Sequence, residues 1–91
     1  MEYYLNDLGY QVQAMHLSEE LVTVISVWCG AVVVEEIDPL DDTKRYPALN
    51  VQTKEGVKRA SLGDYILKHH DGSFDVKTPN HFMRNHRPLE P

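Results

Sequence analysis

Of its 91 residues only one, Cys29, is a cysteine. A lone thiol excludes an intramolecular disulfide and any cysteine-based zinc site, and it suits a reducing interior such as cytosol. No apolar run approaches the roughly 20 residues that a membrane-spanning helix needs. The opening Met1-Glu2-Tyr3-Tyr4 carries no basic residue, so it is not expected to act as a secretory leader. Cations are absent from the whole first half, since every Lys and Arg lies at or after Lys44. Residues 1–43 hold nine acidic and no basic side chains, whereas 44–91 hold nine basic against five acidic, which accounts for the net charge of −5. Four of the five histidines also fall in the second half. A chain this short buries only about 60–65% of its unfolded surface, so one thin core is expected. The charged fraction of 25% is that of a folded domain. We read a single domain over 1–91, with tails at 1–9 and 87–91.

The densest pattern runs from Ala60 to Thr78. Tyr65, Leu67 and His69 alternate with Ile66, Lys68 and His70, the period of a strand with one face toward a core. Gly63 suits a bend at positive φ before that strand, and Asp64 can accept backbone N–H groups to hold it. Asp71-Gly72 favours a two-residue type I′ turn, after which Phe74, Val76 and Thr78 alternate with Ser73, Asp75 and Lys77.

Elsewhere Tyr10, Val12 and Ala14 alternate with Gln11, Gln13 and Met15 as a first strand. Ser18 reads as a helix N-cap with Glu19 and Glu20 in the first turn, and Gly30 as the stop. Leu17, Leu21, Val24 or Ile25, and Trp28 recur at helical spacing, which outweighs the β-branched content of Val22 to Val27. This places Trp28 and Cys29 against the core. Ala31 to Ile37 reads as a strand through its valine run. Asp38 to Pro47 reads as a loop by its prolines and charges. Leu49, Val51 and Thr53 form the next strand, Glu55-Gly56 turns, and Val57 to Ser61 pairs back. Thr78-Pro79 opens a short helix over Asn80 to Asn85. The fold class expected is α+β: a small antiparallel sheet or partly closed barrel with one packed helix and a short C-terminal helix.

Gly63-Asp64-Tyr65-Ile66, Gly72-Ser73-Phe74, and Lys77 with Pro79 and Phe82 resemble the motifs of a group of small bacteriophage proteins. These carry a Pro-Gly-Asp-Tyr/Trp-Ile stretch, a Gly-aromatic hairpin and a closing Phe-containing turn. Trp28-Cys29-Gly30 and the strand Val12 to Met15 are also similar. Leu62 stands where the family has proline, and Asn85-His86-Arg87 lacks the closing aromatic. The segment Asp38 to Ala48 is expanded, and the N-terminus is acidic instead of basic. The resemblance implies a small phage accessory protein acting in the host cytoplasm. It implies no reaction.

Residue chemistry points the same way. Adjacent His69 and His70 face opposite sides of a strand, and His81 and His86 are five apart, so with Asp71 and Asp75 they read as surface groups and not as metal ligands. Asp64 reads as a backbone acceptor, and Cys29 beside Trp28 as a buried thiol. No nucleophile–base ordering, phosphate loop or metalloprotease pattern occurs. We therefore expect no catalysis, no cofactor and no membrane. The expected function is protein–protein interaction with a host or phage factor, or with a second copy, through a charged face of Glu35, Glu36, Lys54, Lys58, Arg59 and Lys68. The alternative is a nucleic-acid or nucleotide-binding module on the basic side of the sheet, with Tyr65 and Phe74 as stacking groups. Overall acidity weighs against that alternative.

Overall fold

The computed structural model describes residues 2–6 and 9–88. Eight strands and two helices follow in the order β1 (Glu2–Asn6), β2 (Gln11–His16), α1 (Val22–Cys29), β3 (Val32–Asp38), β4 (Asp41–Thr53), β5 (Gly56–Ala60), β6 (Tyr65–Lys68), β7 (Phe74–Lys77), α2 (Pro79–Asn85) and β8 (His86–Pro88). They form two antiparallel sheets, one in the order β7-β6-β2-β1-β8 and one in the order β3-β4-β5. The class is α+β, and the sheets do not close into a barrel. The first nine residues, expected as a tail, instead supply β1, whose partners are β2 and β8. The expected tail at 87–91 lies outside the described residues beyond Pro88.

The hairpin β6–β7 sits at one end of the larger sheet, with Ile66 opposite Val76 and Lys68 opposite Phe74. Its turn differs from the type I′ expectation. The His69 N–H donates to the Ser73 carbonyl at 2.8 Å and the Gly72 N–H to the His69 carbonyl at 3.0 Å. Only Gly72 takes positive φ in the loop, whereas type I′ needs it at both central residues. Asp71 holds the turn by accepting the Ser73 N–H and hydroxyl.

Strand β6 has two buried faces, where alternation suggested one. Ile66 and Leu67 are both fully buried. Ile66 belongs to a core with Leu17, Ile25, Cys29, Leu49, Val51 and Ala60, on which Met15, Phe74 and Val76 pack. Leu67 belongs to a second core with Tyr4, Val12, Ala14 and Phe82. The second face is covered because α2 returns Phe82 across it, edge-on to Tyr4 at 4.7 Å and stacked on Tyr65 at 4.1 Å. His16 continues the row, stacked on Tyr65 at 4.6 Å.

Helix α1 starts later than the sequence suggested. Ser18 does accept the Leu21 N–H, at its side chain and its carbonyl, but that turn precedes the helix. Gly30 ends it, donating to the Ser26 carbonyl. Of the expected stripe, Leu17 and Ile25 are buried, Leu21 is exposed, and Trp28 is half-buried, edge-on to Phe74 at 5.2 Å.

The Gly63 bend joins both sheets' connections. Gly63 has φ +95°. Its N–H donates to the Leu17 carbonyl and the Leu17 N–H donates to the Asp64 carbonyl, at 2.9 and 2.8 Å. Asp64 accepts the Ser61 N–H on its carboxylate at 2.9 Å. A Cβ at Gly63 would touch nothing within 4 Å, so any cost of a side chain there is backbone strain, about 1–2 kcal/mol and more for a β-branched residue. Gly63→Val is expected to lower the urea midpoint clearly, and Asp64→Asn, which keeps an acceptor oxygen, to lower it less. An unchanged midpoint for Gly63→Val would remove the bend from the determinants of the fold.

Candidate functional site

Strand β4 is the longest element, with thirteen residues. At about 3.3 Å per residue it reaches roughly the length of the molecule, whose longest dimension is 43 Å against 24 and 23 Å across. Its two halves live in different surroundings. Ala48, Leu49, Val51 and Thr53 are buried, and β5 pairs with this half from Leu49 to Thr53. Asp42 to Arg45 are exposed; Arg45 pairs with Ile37 of β3, and Asp42 to Lys44 form the bulge between that pair and Asp38–Asp41. The segment read as a loop is therefore the outer half of a two-stranded arm, closed at Pro39-Leu40 by the pairing of Asp38 with Asp41. Pro47 misled that reading. It sits opposite Glu35 in β3, before β5 begins, so its missing N–H faces no second strand.

Asx-type contacts shape the tip. Asp38 accepts the Leu40 N–H at 2.8 Å and the Tyr46 hydroxyl at 3.1 Å. Asp41 accepts the Thr43 N–H at 3.0 Å and its hydroxyl at 2.6 Å. The Thr43 hydroxyl, then its N–H, holds the Asp41 carboxyl below its ordinary range. Tyr46 is pushed above the ordinary phenol value, first by its bond to Asp38, then by burial and by the negative charges of Asp38 and Glu19. Acids before α1 and acids on the arm thus act on one site.

The arm and the neighbouring helix face also expose apolar groups. Leu40 is 96% exposed, Val27 79%, Val32 63% and Ile37 53%. Val24 and Val33 are exposed as well. As a surface these residues escaped the sequence reading, which took Leu40 into a loop, offered Val24 as an alternative to Ile25 in the helical stripe and read the valine run only as a strand. A usable signal was present: Thr43 and Tyr46 are strand formers, and the valines of α1 outnumber what one buried stripe can hold.

The six residues of the expected charged face are divided among several separate contacts. Glu36 meets Arg59 at 3.7 Å and accepts the Ser61 hydroxyl at 3.0 Å. Glu35 meets Arg45 at 3.8 Å, both well exposed, a contact of small energetic value. Lys54 is bonded to Asp71, across from the β6–β7 loop. Lys58 bridges Asp75 at 2.8 Å and Glu55 at 3.3 Å, while Lys77 also meets Asp75 at 3.4 Å. Lys68 lies over the Phe74 ring, 5.9 Å from its centre. Lys54, Lys58 and Arg59 are therefore each matched by a carboxylate. Glu19, Glu20, Asp38, Asp41 and Asp42 have no cation within ion-pair distance among the described residues.

Among the described residues no three of His, Cys, Asp and Glu converge as metal ligands, and no helix is long and apolar enough to cross a membrane. The side chain of His86 lies outside the described set. Cys29 is buried, and burial pushes its thiol above the ordinary value against the lowering effect of the Ala31 N–H.

The carboxylates of the β6–β7 hairpin give a pH signature. Lys54, then Ser73, holds Asp71 well below the usual range. Burial raises Asp75, but Lys58, the Val76 N–H and Lys77 together outweigh it and leave it lowered. A depressed carboxyl stabilises the fold above its unfolded pKa of about 3.9 and loses that contribution as pH falls through the folded value. The stability gap between the parent and an Asp71→Asn/Asp75→Asn variant, measured in urea, is expected to be widest above about pH 5 and to close at lower pH, below about 3. A gap independent of pH would refute the pairing.

Compared with protein-family models, curated proteins and solved structures, the chain matches none.

Proposed function

We propose that this chain is a small accessory protein of phage type that acts in the host cytoplasm by binding another protein, and that the binding surface is the β3–β4 arm with the adjoining face of α1. The observation that carries this reading is the two-stranded arm itself, with exposed Ile37 and Leu40 and with Asp38, Asp41 and Asp42 in no ion pair among the described residues. An isolated two-stranded ribbon is marginal in water, and a partner that covers its apolar groups would complete it. The charged face is then predominantly acidic, with Lys44 and Arg45 as its cations. Glu35 and Glu36 belong to it, whereas Lys54, Lys58, Arg59 and Lys68 act in internal pairing and packing.

The nucleic-acid reading has less to stand on. Phosphate binding needs cations that are free to neutralise it, and the three cations of β5 and its turn already face carboxylates. Tyr65 is stacked between His16 and Phe82 and presents no open ring face.

Affinity capture from a bacterial lysate tests the proposal. Immobilised parent protein is expected to retain a discrete partner that is lost from a Glu35→Lys/Asp42→Lys variant and released by salt near 0.5 M, where the Debye length is about 4 Å. Both positions are exposed, so the variant should keep its fold. A partner held equally by parent and variant would place the binding surface elsewhere.

A further inference from the structure

Resting on that protein-binding reading, we propose that the outer edge of β3 is a strand-addition site that takes an extended, basic and β-branched segment of the partner as a fourth strand of the smaller sheet. The two sheets have four outer strands: β7 and β8 in one, β3 and β5 in the other. Three of these are short and carry the residues that protect an edge from pairing. β5 has five residues with Lys58 and Arg59, β7 has four with Lys77, and β8 has three and ends at Pro88. Shortness, proline, bulges and charged side chains, lysine above all, are the usual means of keeping an edge single. β3 has seven residues, Val32 to Asp38, with no lysine, arginine or proline, and its charges are the carboxylates Glu35, Glu36 and Asp38, which oppose an acidic partner strand and not a basic one. Its only irregularity is a register shift between Ile37 and Asp38, at the end of the strand. Among the described residues it pairs with β4 alone.

The side chains along this edge define what would pair with it. Val33, Glu35 and Ile37 share one face of β3, and Val32, Val34 and Glu36 the other. An added strand therefore meets valine or isoleucine together with glutamate on both faces. Valine or isoleucine opposite the apolar positions and lysine or arginine opposite Glu35 satisfy both. Charge also decides between a foreign segment and a second copy. Residues 17–46 hold seven acidic side chains and two basic ones. Two such edges brought together would repel, whereas a basic segment is attracted and steered. In this mode the backbone ladder supplies affinity and the alternate side chains supply selectivity.

The probe is a capped seven-residue peptide, Lys-Val-Lys-Lys-Val-Val-Val, whose antiparallel pairing sets valines opposite Val32, Val33, Val34 and Ile37 and lysines opposite Glu35, Glu36 and Asp38, with a twin in which the adjacent fifth and sixth residues are proline. The twin keeps the charge and most of the apolar surface but cannot complete a ladder, because one of two adjacent N–H groups must face β3. Titrated into the full chain, the first peptide is expected to bind and to slow hydrogen exchange at amides within 32–38. The twin is expected to bind at least about tenfold more weakly, a loss of about 1.4 kcal/mol. Val32→Lys, at an exposed position, is expected to abolish binding of the first peptide. Equal affinity for both peptides overturns strand addition, and the capture experiment with the charge-reversed arm then stands or falls on its own. Binding of neither peptide at roughly 1 mM overturns it as well. Self-association of the free protein that protects the same amides overturns the choice of a foreign segment.

Discussion

Strand β4 is longer than the core it crosses, and most of the molecule follows from that. Its second half contributes Leu49 and Val51, both fully buried, to the core shared by α1, β5 and β6. Its first half continues past the point where β5 and the larger sheet can cover it. Only β3 accompanies it, so the ribbon is held by its own ladder, by the Tyr46–Asp38 bond and by a weak Glu35–Arg45 contact. A thin core of this size cannot bury every apolar group. Of what it leaves out, Val24, Val27, Val32, Val33, Ile37 and Leu40 lie on α1, β3 and the arm tip, whereas Tyr3, Tyr10, Val57 and Met83 are exposed elsewhere.

The legible parts of the sequence were those with local causes. The Gly63 bend, the strand after it, the return from Phe74 and the helix opened by Pro79 all follow from residues whose backbone demands act at short range. Two things were not legible. Leu67 is buried because Phe82, fifteen positions later, folds back over it, and alternation along β6 carries no information about that. The arm was hidden because Pro39 and Pro47 signal a break locally, while strand pairing with β3 and the absence of β5 at Pro47 are long-range facts. Of the candidate site, the acidity was visible and its location was not.

The charge asymmetry of the chain does not become two opposed patches. Arg45 and Arg59, from the second half, meet Glu35 and Glu36 from the first. Lys54, Lys58 and Lys77 are taken up by Asp71 and Asp75 within their own half. Pairing therefore takes up five of the described cations and leaves an acidic surplus at Glu19, Glu20 and the arm, where Lys44 is in no ion pair among the described residues. In the protein-binding role proposed above, the exposed valines would supply adhesion and that surplus the choice of partner.

The central claim is that the arm depends on a partner in a way the core does not. Residue-resolved amide hydrogen exchange of the free chain tests it most directly, because β4 carries both environments on one strand. Local openings range from nearly free at weakly packed segments up to the global unfolding free energy in the core. The account predicts slow exchange at the ladder amides of Leu49 to Thr53 and much faster exchange at those of the paired arm residues Asp41, Arg45 and Tyr46. Uniform protection along β4 would mean that the arm is part of the core, and would contradict the account.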